Sequence, residues 1–183
     1  MEHRITLLDM QTFKTIRDED FGLDTPKPKT WTKRKTGRAI IFDENKNVAL
    51  LHVTKKRYHK LPGGGVEERE SIAEALQREA IEEIGCEIGD IRELGIIEEY
   101  RNNFSKHQTS YCFVATVKGK KKAPDFTQEE IANGFEVVWL ELDGSIKTLE
   151  EEIDTIEDYE GKFINARELA FLKEAKKFIA EQK

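Results

Sequence analysis

The stretch from Leu61 to Gly85 restricts this chain more than any other. Leu61-Pro62 runs into Gly63-Gly64-Gly65, where backbone can approach other groups with no Cβ in the way. Ser71 with Glu74 three residues later is a capping-box pattern, and Gly85 is a C-terminal stop, so residues 71–84 are expected to form one helix. At about 100° per residue, Glu82 falls near −60° and Glu83 near +40° of Glu79, so three carboxylates share an arc of about 100°. Ala73, Leu76, Ala80 and Ile84 occupy the neighbouring arc. One side of the helix can bury while the other presents acid.

Like charges this close on a helix repel one another. A solvated surface helix would normally intersperse lysines, yet Arg78 is the one base nearby. The repulsion disappears when the cluster holds a hard divalent cation, since Mg²⁺ takes carboxylate and phosphate oxygens. A carbonyl of the glycine run offers one more oxygen.

The elements around this helix alternate. Arg38–Phe42 and Val48–Val53 read as two strands paired in a hairpin, and Lys60-Leu61 as a short strand. Further strands are expected near 93–101, 108–117 and 135–140. Helices are expected over 145–153 and 165–180, the last opened by Asn165 and Glu168 as a second capping box. A mixed α/β domain follows. Residues 31–183 read as a single domain with its C-terminal helices. Residues 1–30 read as an extension whose segment Ile5–Phe13 is open between edge strand, dimer arm and tail.

With 183 residues, 38% of them hydrophobic, the chain fills one core. Its net charge of −6 argues against long nucleic acid or anionic membrane as a partner, but not against nucleotides, whose charge bound metal can meet. Cys86 and Cys112 belong to no CxxC pair and read as free thiols of a reducing cytoplasm. The first residues lack a signal-peptide core, and no stretch approaches the length of a membrane span.

Gly64, Glu70, Arg78, Glu79, Ala80, Glu82, Glu83, Gly85 and Cys86 stand at the spacing of the Nudix box, and the chain resembles that family. Every polar and glycine position is filled; Ala80 is smaller than the usual aliphatic. The resemblance covers the 23 residues of the box, and the strand order extends it over residues 36–142. It implies an α/β/α sandwich around a mixed sheet, and hydrolysis of a diphosphate linked to another moiety by water attacking phosphorus. It implies Mg²⁺ or Mn²⁺ held by Glu79, Glu82, Glu83 and the carbonyl of Gly63. Arg78 would orient these acids, and Glu70 would be the auxiliary acid of the box. The proton of the attacking water would go to Glu79 or Glu82, or to a later acid, of which Glu130 is preferred over Glu129, Glu98 and Glu99. A homodimer is common in the family.

The substrate is less legible. Asn102 stands where ADP-ribose hydrolases of this family carry Pro. Asn103 and Phe104 stand where diadenosine polyphosphate hydrolases carry Tyr. By elimination the chain is similar to the MutT-like group, which implies a nucleoside triphosphate, oxidised or not, as substrate. Arg38, Lys60 and Tyr58 are the expected substrate-binding residues, within a basic run from Lys55 to Lys60. Two alternatives stand beside this: a nucleotide-sensing module of the same fold, which would normally lose box acids, and removal of pyrophosphate from RNA 5′ ends.

Overall fold

The computed structural model describes residues 10–181. Seven strands form one mixed sheet: β1 (Thr12–Arg17), β2 (Thr32–Phe42), β3 (Asn47–Val53), β4 (Tyr58–Lys60), β5 (Glu87–Arg101), β6 (Lys106–Lys118) and β7 (Phe135–Glu141). Four helices complete the fold: α1 (Ile72–Ile84), α2 (Gln128–Asn133), α3 (Leu142–Glu152) and α4 (Tyr159–Ala180). The strands run β1-β5-β6-β2-β3-β4, with β7 paired to β3.

The alternation of side chains along each strand supplies both faces. Ile40, Leu50, Ile97, Cys112 and Val114 point to α3 and α4, where Leu149, Phe163, Phe171 and Leu172 close one core. Ala39, Ile41, Ala49, Leu51, Phe113 and Ala115 point the other way, against Ile72, Leu76, Ala80 and Ile84 of α1. Helices therefore cover both sides of the sheet, which is the expected α/β/α sandwich. Both cysteines are buried free thiols. Among the described residues, no helix is long and apolar enough to cross a membrane.

α1 begins and ends as its local chemistry dictates. Ser71 Oγ accepts from the Glu74 amide at 3.2 Å, and the Ser71 amide donates to the Glu74 carboxylate at 2.8 Å. Gly85 turns the chain at φ 65°, against the backbone of Lys122.

Three expectations change. The hairpin of β2 and β3 is reduced to one antiparallel pair, Phe42 with Val48. β2 instead runs parallel to β6 along its whole length, and β3 takes β7. The facing edges of β2 and β3 part after that pair because the loop from Pro62 to Val66 bonds to β2 and β4 bonds to β3. The last helix starts at Tyr159, with Asp158 capping the Gly161 amide at 2.7 Å, so Asn165 and Glu168 lie inside it and cap nothing. Asn165 reaches the Leu149 carbonyl at 2.9 Å instead. Finally, α2 was not expected; Thr127 and Glu130 form its capping box. Of the segment Ile5–Phe13, residues before 10 lie outside the described ones, while Thr12–Arg17 pairs parallel with β5 at the edge of the sheet.

Candidate active site

The glycine run lies along the edge of β2. Gly37 N donates to Gly64 O at 3.0 Å, Ala39 N to Pro62 O at 3.1 Å and Val66 N to Lys35 O at 3.1 Å. This brings the loop against α1. A Cβ on Gly64 would run into the Glu79 carboxylate, and one on Gly63, at φ 131°, would strike the carbonyl of Gly37. Those two glycines are required by contact, and Gly63 by its backbone angle as well.

Arg78 is the hub of the acids. Its Nε donates to Glu70 at 2.8 Å and its Nη2 to the other Glu70 oxygen at 3.1 Å, a two-point pairing. Nη1 reaches Glu79 at 2.8 Å and Glu82 at 3.3 Å, and Nη2 also meets the Gly65 carbonyl at 3.1 Å. One guanidinium thus joins the loop to three carboxylates. Its hydrogen bond holds the Glu70 carboxyl below the usual carboxylate range.

Glu83 is the buried member of the set. It accepts from the Gly63 amide at 2.6 Å and from Lys60 Nζ at 2.7 Å. Burial pushes its pKa up, Lys60 pulls the other way and Glu79 adds to the rise. Glu82 is the open member, with 46% of its side chain exposed.

Among the described residues, no three Asp, Glu, His or Cys side chains converge as they stand on one point able to hold a metal. Arg78 and Lys60 instead each hold an oxygen of these acids, Arg78 on Glu79 and Glu82 and Lys60 on Glu83. The chemistry of the set nonetheless fits a hard divalent cation. Every donor is oxygen, the acids outnumber the bases beside them, and Gly64 leaves the Glu79 carboxylate uncovered by a side chain.

The structure moves several expected residues elsewhere. Arg38 is buried, donating to the carbonyls of Gly63 and, at 3.4 Å, Leu61. It props the loop from behind. Tyr58 packs with Val53 and Ile156, and burial pushes its phenol up to about 12, so it is a core residue and no stacking platform. Lys60 is spent on Glu83, with its ammonium 4.9 Å from the centre of the Phe135 ring. Glu130 closes the capping box of α2, accepting from the Thr127 amide at 2.8 Å. Glu98 binds His107 and Thr109.

Glu99 belongs to a second cluster that the sequence concealed. It accepts from Arg101 and Arg167 at 2.8 Å each, from Gln108 at 2.8 Å and from Ser110 at 3.2 Å. Arg167 also reaches Glu168 at 2.6 Å, and Glu168 lies 3.9 Å from Arg38 Nε. Buried ions thus run from β5 and α4 through Arg38 to the carbonyl of Gly63. Burial disfavours the Glu99 carboxylate, but Arg167 and Arg101 outweigh it and its pKa is lowered.

The chain is similar to known proteins in sequence and in fold. The family model described as NUDIX domain matches residues 32–159. Diphosphoinositol polyphosphate phosphohydrolase 3-alpha of Mus musculus is 30% identical over 120 residues, which is 64% of this chain and 70% of the relative. Diphosphoinositol polyphosphate phosphohydrolase 2 of Rattus norvegicus is 31% identical over 120 residues, covering 64% and 63%. The MutT protein of Methanosarcina mazei Go1 shares the fold at a TM-score of 0.51 and 20% identity, over 86% of this chain and 99% of that one. That of Bacillus halodurans does so at 0.51 and 23%, over 63% and 72%.

Proposed function

Given that the chain belongs to the NUDIX domain family and is a pyrophosphohydrolase, we propose that it cleaves, with Mg²⁺ or Mn²⁺, a phosphoanhydride in a small molecule carrying several phosphates. The observation that carries this reading is the set Glu79, Glu82 and Glu83 gathered by Arg78 and Lys60 beside a loop that excludes side chains.

A divalent cation bound there supplies charge neutralisation on the phosphoryl oxygens and lowers the pKa of the attacking water. The chain's own part is positional. Gly63 N and Lys60 fix both oxygens of Glu83, so this acid is preset. Arg78 keeps Glu79 and Glu82 on the loop side of α1. Glu82, the more exposed of the two, is well placed to receive the water's proton, with Glu79 as the other acceptor. Glu130, engaged in its cap, is set behind both.

The substrate we favour is a diphosphate on a polyphosphorylated ring, because the relatives near 30% identity are named for diphosphoinositol polyphosphates. A nucleoside triphosphate is the second reading. It is favoured by Phe104, an aromatic residue that is 47% exposed and of the kind that stacks on a base.

The test is a panel of about a hundred phosphoanhydrides, triphosphorylated RNA included, incubated with Mg²⁺ or Mn²⁺ and read by product mass. Turnover is expected to stop with EDTA, and in Glu82→Gln and Glu83→Gln. Full activity of both variants in EDTA sinks the metal-dependent reading. Preference for RNA ends over free small molecules replaces the substrate class.

A further inference from the structure

We infer that Arg34 and Lys106 form a subsite for a substrate phosphate remote from the anhydride that is cut. The inference rests on the reading of Gly63–Glu83 as the place of cleavage.

The two residues share one side of the sheet. β2 and β6 run parallel, with Thr32 opposite Lys106 and Arg34 opposite Gln108. Gln108 binds Glu99 on the α4 side, so Arg34 and Lys106 face that side as well. Arg34 lies over the glycine loop: a Cβ on Gly65 would sit 3.3 Å from its Nη2. The next residue back, Gly64, faces Glu79. The guanidinium therefore borders the proposed centre without belonging to the acid set.

Lys106 is held in place. Its ammonium stands 5.4 Å from the centre of the Phe104 ring, which meets Tyr159 edge-on at 5.2 Å. The Tyr159 hydroxyl donates to Asp18 at 2.8 Å, which fixes this support.

Both cations lack a counter-charge. Among the described residues, neither Arg34 nor Lys106 has a carboxylate within ion-pair distance. Glu99 and Glu160, the acids on this side, are engaged by Arg101. Burial lowers the pKa of Lys106, and Arg101 and Arg34 lower it further while Glu160 opposes them. The cations of the two ion clusters, Arg78, Lys60, Arg101 and Arg167, are by contrast all matched by acids. With Arg34 at the loop and Lys106 on the neighbouring strand, one side of the sheet carries a fork and a point charge, the pair of chemistries that recognises phosphate.

Phosphates distant from the bond also explain how an acidic protein would retain a polyanion. The cation at the acids accounts for the diphosphate alone. Arg34 and Lys106 then discriminate substrates by what lies beyond it.

The experiment uses the full chain with Mg²⁺. Inositol hexakisphosphate, which has no anhydride to cut, is titrated by calorimetry into wild type, Arg34→Gln, Lys106→Gln and Lys33→Gln. The last removes an exposed lysine of β2 outside the proposed pair. Arg34→Gln and Lys106→Gln are each expected to weaken binding roughly ten-fold, the loss of one charged hydrogen bond. Lys33→Gln is expected to bind as wild type does. kcat/KM is then measured on 5-diphosphoinositol pentakisphosphate and on ADP-ribose, with and without remote phosphates. The loss in Arg34→Gln is expected to be several-fold greater on the first, and to lie in KM. Equal losses on both substrates, or equal losses in all three variants, overturn the subsite. Should wild type cut neither substrate yet bind the hexakisphosphate through Arg34 and Lys106, the subsite stands and the substrate reading above falls.

Discussion

Two charged clusters meet the glycine loop from opposite sides, and they are built on different terms. Around Arg78 the groups are part-exposed and acids exceed bases: one guanidinium serves Glu70, Glu79 and Glu82. Around Glu99 the groups are sealed, with Glu99, Glu168, Arg101 and Arg167 at most 2% exposed in their side chains, and bases match or exceed acids. The first can exchange partners, because solvent and an arriving cation compensate any bond it gives up. The second cannot, since an ion left alone there has nothing to turn to. Chemistry belongs to the exchangeable cluster, and the sealed one sets the shape of what it works on.

The largest effect should come from breaking the sealed cluster. Glu99→Gln leaves Arg101 and Arg167 without their shared carboxylate and should cost about 3–5 kcal/mol in urea unfolding. A cost under about 1 kcal/mol would erase the distinction between the clusters. Next, Glu82→Gln should lower turnover roughly 10²–10⁴-fold while moving stability by no more than about 0.5 kcal/mol. A variant that loses stability and activity together would place Glu82 among the structural ions.

The third effect is one of pH. Because the folded pKa of Glu99 is lowered, its contribution to stability is full above the unfolded value, about 4.3, and is lost as pH falls through the folded one. Acid unfolding of wild type should therefore steepen below about pH 4.3, and Glu99→Gln should flatten that limb. A parallel pair of curves would contradict it. The smallest effect belongs to the start of the box helix. Ser71→Ala removes the acceptor of the Glu74 amide and should cost about 1 kcal/mol by thermal unfolding. Its loss should be independent of Glu99→Gln, which a double-variant cycle measures.

How far the sequence could be read is shown by one pattern at three of the places where it stands. A short polar residue followed three later by Glu occurs at Ser71, Thr127 and Asn165. At Ser71 the pattern and the acid-bearing helix behind it were legible together, because capping is a local event. At Thr127 the same geometry forms, yet Glu130 was read as a candidate base, since a six-residue helix gives too little periodicity to announce itself. At Asn165 the pattern means nothing, because Asp158 has already started the helix and Glu168 is drawn to Arg167. Long-range partners were the hidden part. Nothing adjacent to Arg38 or Tyr58 in sequence reveals that the sheet and α4 bury them. The pairing of β2 with β6 spans some seventy residues. Arg34 and Lys106 escaped for the same reason: 72 positions apart (106 − 34), they share a side only through the pairing of β2 with β6.

The chain of contacts from Arg167 through Glu168 and Arg38 to Gly63 also imposes an order in time. Arg167 follows Gly65 by 102 positions (167 − 65). At about 5–20 residues per second, the loop leaves the ribosome roughly 5–20 s before the helix that braces it. During that interval the box is complete as text, while the arginine behind its carbonyl has no anchor. Such a nascent chain carries the catalytic letters without the catalytic shape, and competence arrives as a late step of synthesis.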